Sequence, residues 1–215
     1  GRRSPAMRTD ARRAHWEQVY EARPPEEVSW HQDTPESSLA LVEHTGVGPE
    51  GAILDVGGGA SRLVDTLRAR GYRDLTVLDV SAQALAHARR RLGAAAEDIA
   101  WLRADVTEAR FERRYDVWHD RAVFHFLTEP DERTAYRARL EAALRPGGHA
   151  IVATFALDGP ARCSGLPVVR YSPESLAESL GPRFSLVETW DEDHRTPGGA
   201  VQRFVFCRFR RRADA

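Results

Sequence analysis

The chain has no lysine and no asparagine: all 31 basic residues among its 215 are arginine. Without lysine it cannot build a phosphate-binding P-loop, whose glycine-rich turn ends in one. An arginine-only, asparagine-free composition is what a GC-rich bacterial genome favours. Cysteine is scarce too. Cys163 and Cys207 are too few and too far apart for a disulfide framework or a zinc knuckle, and they fit a reducing compartment. No metal-ligating set is expected. No apolar run reaches the roughly 20 residues of a bilayer span, and no signal-peptide pattern opens the chain. A cytoplasmic location with no membrane partner is therefore expected. Charge of one sign is also missing: the net charge is -1, with acids and bases interspersed. That leaves no electrostatic footprint for nucleic acid. The Arg-rich end, Arg208 to Arg212, reads as a solvated tail. Gly1 to Ala6 precede the only methionine, Met7, and read as leftover tag sequence. With 42% apolar residues, the remainder, 7–215, suffices for one domain with a full core, as a monomer or weak dimer.

What the chain does have is concentrated in Ile53-Leu-Asp-Val-Gly-Gly-Gly-Ala-Ser61, where a first strand turns toward a helix. Glycines suit such a turn because the backbone can take positive φ and let a ligand approach closely. A dinucleotide fingerprint starting at Gly57 would need glycine at position 62, which is Arg62. The pattern left is Asp55-x-Gly57-x-Gly59-x-Ser61. It resembles the D/E-x-G-x-G-x-G motif of class I S-adenosylmethionine (SAM) methyltransferases, with serine for the last glycine.

Two further acids follow at strand ends. Tyr72 to Asp79 reads as a second strand whose terminal carboxylate, about 20 residues beyond the glycines, can accept both ribose hydroxyls. Ile99 to Val106 reads as a third, with Asp105 placed to accept from the adenine amine. Val80 and Val106, beside these acids, are assigned to the same cofactor site.

Along the chain, strand and helix signals alternate. Ser37 to His44 carries an apolar face, Leu63, Val64 and Leu67 recur at helical spacing, and Ser81 caps a helix with Leu85, Ala88 and Leu92 in a stripe. Tyr115 to His119 reads as strand four, Asp131 to Leu144 as a long helix, and Leu144-Arg-Pro-Gly-Gly148 as its stop before the strand His149 to Phe155. A helix from Ser172 to Leu180 leads to closing strands Phe184 to Trp190 and Val201 to Phe209. The polar loop Asp191 to Ala200 between them predicts a hairpin. This is an α/β, doubly wound parallel sheet. The class I resemblance implies a Rossmann-like strand order 3-2-1-4-5-7-6 with the last strand antiparallel. It places Gly57 beside His119 where the winding reverses.

The segment after strand four, Asp116-Val-Trp-His-Asp-Arg-Ala-Val-Phe-His125, lacks the D/N-P-P-Y/F signature of enzymes methylating amino groups of adenine, cytosine or glutamine. It is similar to thiopurine S-methyltransferase and its relatives: Asp116, Asp120 and Arg121 match their pattern without a gap, and His119 replaces a tryptophan. Trp16-x3-Tyr20 followed by Trp30-His31 resembles that family's N-terminal lid, here about 7–36, and Gly165 to Tyr171 its Pro-rich active-site loop. The W-x3-Y opening is shared with a looser resemblance, the enzymes that modify lysines of elongation factors and citrate synthase; their E/D-K-G after strand four is missing here.

These resemblances imply in-line methyl transfer from SAM, giving S-adenosylhomocysteine, to a small soft nucleophile such as a thiol or selenol. Alternatives are a protein lysine or small-molecule O/N-methyltransferase, or a SAM-binding regulatory subunit without catalysis. A thiol with pKa of about 8.5 costs roughly 2 kcal/mol to ionise at pH 7. Arg121 could favour the thiolate, Asp120 pairs with Arg121 or acts beside it, and His119 or His125 could relay a proton. Aromatic faces at Trp16, Tyr20 and Trp30 suit a sulfonium or adenine. Cys163 reads as a wall residue, since methyl transfer needs no enzyme nucleophile.

Overall fold

The computed structural model describes residues 1–213. Its centre is a seven-stranded sheet. In chain order the strands are β1 (Ala52–Val56), β2 (Asp74–Asp79), β3 (Ile99–Arg103), β4 (Tyr115–Arg121), β5 (Leu144–Phe155), a two-residue pair β6 (Arg162–Cys163) and β7 (Leu166–Pro167), β8 (Phe184–Arg195) and β9 (Val201–Arg211). The sheet order is β3-β2-β1-β4-β5-β9-β8, with β1 to β5 parallel and β9 antiparallel to both neighbours. With the separate β6-β7 pair left out of the count, this is the expected order. β1 is buried along its whole length, as a central strand covered on both faces requires.

Helices α5 (Pro130–Ala143) and α6 (Pro173–Leu180) cover one face, packing Tyr136, Leu140, Leu176 and Leu180 against Leu54, Val56 and Trp118. Helices α2 (Glu36–His44), α3 (Leu63–Ala69) and α4 (Ala82–Leu92) cover the other, where Leu41, Leu63 and Leu85 meet Ile53, Val117 and Ile151. Alternation along β1 and β4 therefore sends Asp55, His119 and Arg121 toward the α2 side and Asp120 toward the α5 side. Caps fix the helix starts: the Ser81 hydroxyl accepts from the amide of Ala84, and α6 opens on a Ser172/Ser175 box.

Several boundaries differ from the sequence reading, and β5 starts at Leu144, within the stretch read as a helix stop. Helix α1 (Pro5–Ala22) starts inside Gly1 to Ala6, capped by the Ser4 hydroxyl. The closing hairpin is longer than expected: polar Asp191 to Arg195 pair in register with Val201 to Val205, because β8 is an edge strand and tolerates polar residues. The Arg-rich end is no solvated tail. Arg208 and Arg211 lie within β9, Arg211 is buried, and the Arg208 guanidinium pairs with Glu188 at 2.8 Å. Phe204, Phe206 and Phe209 commit that strand to the core, and the arginines follow. No helix among the described residues is long and apolar enough to cross a membrane.

Candidate functional site

A crevice opens over the C-terminal ends of β1, β2 and β4, where the winding reverses, as open α/β sheets place their ligands. It contains about 640 Å³ of space free of atoms, part of it open to solvent. Its floor includes Gly57, Asp79, Val80, Asp105 and Val106; Trp16, Tyr20 and Trp30 line it from the N-terminal segment, and Phe126 from the turn after β4. The Trp16 ring stands edge-on to Trp30 at 5.4 Å and to Phe126 at 5.2 Å between centroids. A smaller chamber, lined by Asp55, His31, Ser61 and His119, adjoins it, and Trp30, Val56, Gly57 and Arg121 line both.

The glycine turn is shaped by packing. Gly57 is left-handed, with φ 71°, and its amide donates to the Leu78 carbonyl at 2.7 Å. A Cβ there would stand 2.2 Å from Val123 Cγ2, one at Gly58 2.3 Å from Asp55 Oδ2, and one at Gly59 2.7 Å from the Ala84 Cβ. A side chain at any of the three would thus meet the protein's own neighbours. The Gly59 amide donates to Asp79 Oδ2 at 3.0 Å and the Ser81 amide to Oδ1 at 2.9 Å. Each Asp79 oxygen keeps a lone pair for a hydroxyl donor. Burial holds its pKa up to about 6 against these two hydrogen bonds.

Asp105 already has donors on both oxygens: Thr107 on Oδ1, and on Oδ2 the Arg12 guanidinium at 2.5 Å. Arg12 also pairs with Glu132, and Arg8 with Asp131, so two arginines of α1 tie it to the start of α5. Nothing in the sequence marks Arg12, whose partners lie 93 and 120 positions away.

The residues after strand four separate. Asp120 is fully buried, taking hydrogen bonds from the Val123 and Phe124 amides at 2.8 and 3.0 Å and from the Tyr136 hydroxyl at 2.6 Å. It builds the turn after β4, does not line the crevice and does not pair with Arg121; its assignment as catalytic is corrected to a structural one. Arg121 reaches the crevice. Its Nη1 donates to the Trp30 carbonyl at 2.7 Å, its guanidinium carbon stacks 4.4 Å from the Phe204 ring centre, and Nε and Nη2 have no hydrogen-bond partner. Glu192 Oε2 stands 3.9 Å from Nη2. Burial lowers the Arg121 pKa to about 10, so it stays charged.

Both histidines have ring nitrogens already engaged within the protein. The Nδ1 of His125 accepts from the Phe155 amide at 3.0 Å, which puts the proton on Nε2, an atom without a partner. Burial, with Arg121 nearby, pushes its pKa down to about 3. His119 is bonded at both nitrogens, Nδ1 to Asp55 Oδ1 and Nε2 to Ser38 Oγ, each at 2.8 Å. Cys163 is buried, lines neither chamber, and has its thiol pKa pushed up by burial. No group of three His, Cys, Asp or Glu among the described residues is arranged to hold a metal.

Comparison with known proteins matches residues 53–148 to the methyltransferase domain family. The eEF1A lysine and N-terminal methyltransferase of Danio rerio is 30% identical over 146 residues, 66% of this chain and 21% of that protein. The malonyl-acyl-carrier-protein O-methyltransferase of Anoxybacillus flavithermus is 35% identical over 94 residues, 43% of this chain and 36% of that one. The chain thus spans well under half of either curated relative. Among solved structures, 1,6-didemethyltoxoflavin-N1-methyltransferase of Burkholderia thailandensis, with 1,6-didemethyltoxoflavin and S-adenosylhomocysteine bound, superposes with TM-score 0.76 at 23% identity, over 99% of this chain and 92% of that one. A structure from the conversion of a disulfide bond into a thioacetal group during echinomycin biosynthesis gives TM-score 0.72 at 22% identity, over 93% and 91%. These superpositions establish the fold. Residues 53–148 thus match a methyltransferase domain, and the chain as a whole shares the fold of a methyltransferase solved with S-adenosylhomocysteine bound.

Proposed function

We propose that the chain moves a methyl group from SAM to a small acceptor with a soft nucleophile, a thiol or selenol. The residues present fit the cofactor: Asp79 offers lone pairs beside the glycine turn, Asp55 Oδ2 is buried without a donor, and three aromatic rings line the crevice. When bound, SAM supplies an electrophilic methyl on a sulfonium, displaced in line without metal or enzyme nucleophile. The chain's part is then mostly positioning, which can supply about 7 to 11 kcal/mol. Trp16, Tyr20 and Trp30 hold the sulfonium side by stacking and cation-π attraction.

The observation that carries the acceptor reading is Arg121, a buried guanidinium at the wall shared by both chambers, whose Nε and Nη2 have no hydrogen-bond partner and whose counter-charge, Glu192, stands 3.9 Å from Nη2. A fixed cation there favours the anionic form of an acceptor. A thiol profits directly. A lysine ammonium would be repelled, and Asp120, the adjacent acid, faces away. The echinomycin-related structure handles sulfur chemistry on the same fold, which agrees with this choice. A second reading, methylation of protein lysine, has one observation in its favour, the 30% identity to the eEF1A enzyme.

The test is a screen for S-adenosylhomocysteine release with small thiols, selenite, phenols and lysine-bearing elongation-factor protein. Turnover of thiols or selenium nucleophiles supports the proposal. Turnover of the lysine protein alone replaces it with the second reading.

A further inference from the structure

Behind the smaller chamber runs a hydrogen-bonded chain that methyl transfer does not call for. Ser38 on α2 meets His119 on β4, which meets Asp55 at the end of β1, with 2.8 Å at both joints. All three are buried, at 1%, 2% and 4% relative exposure. The order Ser-His-Asp is that of a hydrolytic triad, but a serine so enclosed, lining neither chamber, cannot meet an ester. The purpose lies at the other end. One Asp55 oxygen is committed to the imidazole; the other, Oδ2, is buried without a partner against the open side of Gly58, where a Cβ would come within 2.3 Å. A buried carboxylate oxygen without a donor is costly, and a cationic donor offsets that cost best.

We infer that Ser38 and His119 are positioning residues that hold Asp55 aimed at the α-ammonium group of the cofactor's amino-acid end. The inference rests on the SAM reading and adds to it the residues that orient the acid. His119 Nδ1–H donates to Asp55 Oδ1, and Nε2 accepts from the Ser38 hydroxyl, so one tautomer satisfies both bonds. Helix α2 anchors the chain, since Leu39, Leu41 and Val42 are packed in the core. Rotation of the carboxylate is thereby stopped from the side away from the ligand, as outer-shell partners orient the groups that touch it.

Calorimetry with two ligands tests this: S-adenosylhomocysteine, which has the amino-acid end, and 5′-methylthioadenosine, which lacks it. His119→Leu should weaken S-adenosylhomocysteine about tenfold and Ser38→Ala about threefold, the worth of one buried hydrogen bond and of its support. Both variants should bind 5′-methylthioadenosine as the unaltered protein does. His119→Asn, whose side-chain N–H can stand where Nδ1–H stood, should recover most of the loss. Equal loss of both ligands, or unchanged S-adenosylhomocysteine affinity in folded Ser38→Ala and His119→Leu proteins, overturns the inference. Failure of the unaltered protein to bind either ligand instead overturns the cofactor reading on which it rests.

Discussion

Asp120 and Arg121 are consecutive in β4, yet their side chains leave the sheet on opposite faces, the carboxylate to the amides of Val123 and Phe124 and the guanidinium to the carbonyl of Trp30. The pair therefore separates by experiment. Arg121→Met should leave S-adenosylhomocysteine affinity nearly unchanged and lower turnover of a thiol about 10- to 100-fold, the worth of a charge-assisted hydrogen bond. The loss should be greatest below the thiol's own pKa, where ionisation needs help. Full activity of the folded variant in steady-state assays would remove Arg121 from the mechanism.

Asp120→Asn should act on the fold instead. The amide NH₂ would have to face one of three donors, so stability should fall by about 1 to 3 kcal/mol. Denaturant titration at pH 7 measures it, and loss of turnover without loss of stability would contradict the structural role.

Cofactor binding should depend on pH through Asp79. Its pKa of about 6 lies above the ordinary carboxylate value because burial disfavours the charge. Hydroxyl donors need the ionised form, so affinity should be full above pH 6 and decline below it, approaching about tenfold per pH unit. Calorimetry of S-adenosylhomocysteine between pH 5 and 8 on the protein and on Asp79→Asn, which should show a flat profile, decides this.

At Gly57 the obstacle is Val123. Gly57→Ala should abolish or greatly weaken binding and lower the melting temperature, and adding Val123→Ala should recover part of both. The residual penalty is about 1 to 2 kcal/mol for a left-handed alanine. If the double variant is no better than the single one, the clash is with the ligand after all.

The sheet order and the two acids ending β1 and β2 were legible because each is written locally: a buried apolar run, a glycine turn, a carboxylate where the strand stops. The same locality explains the misses. Arg12 binds acids brought near only by the fold, Ser38 is one hydroxyl on an amphipathic helix, and Glu192 sits in a stretch read as loop because its neighbours are polar. Asp120 was misread because a motif gives a residue's position and not the face on which it lies; strand alternation settles that, one residue at a time.

The tie between α1 and α5 has graded resistance to salt. The Arg8–Asp131 pair is reached by solvent, with the carboxylate 56% exposed, while Arg12 meets Asp105 where the acid is 1% exposed. Mobile ions screen the first far more than the second. Rising ionic strength therefore loosens the outer fastening of α1 while the inner one holds, and the aromatic roof over the crevice gains freedom before the domain loses stability. Stopped-flow release of S-adenosylhomocysteine should accordingly quicken with rising salt before the melting temperature falls.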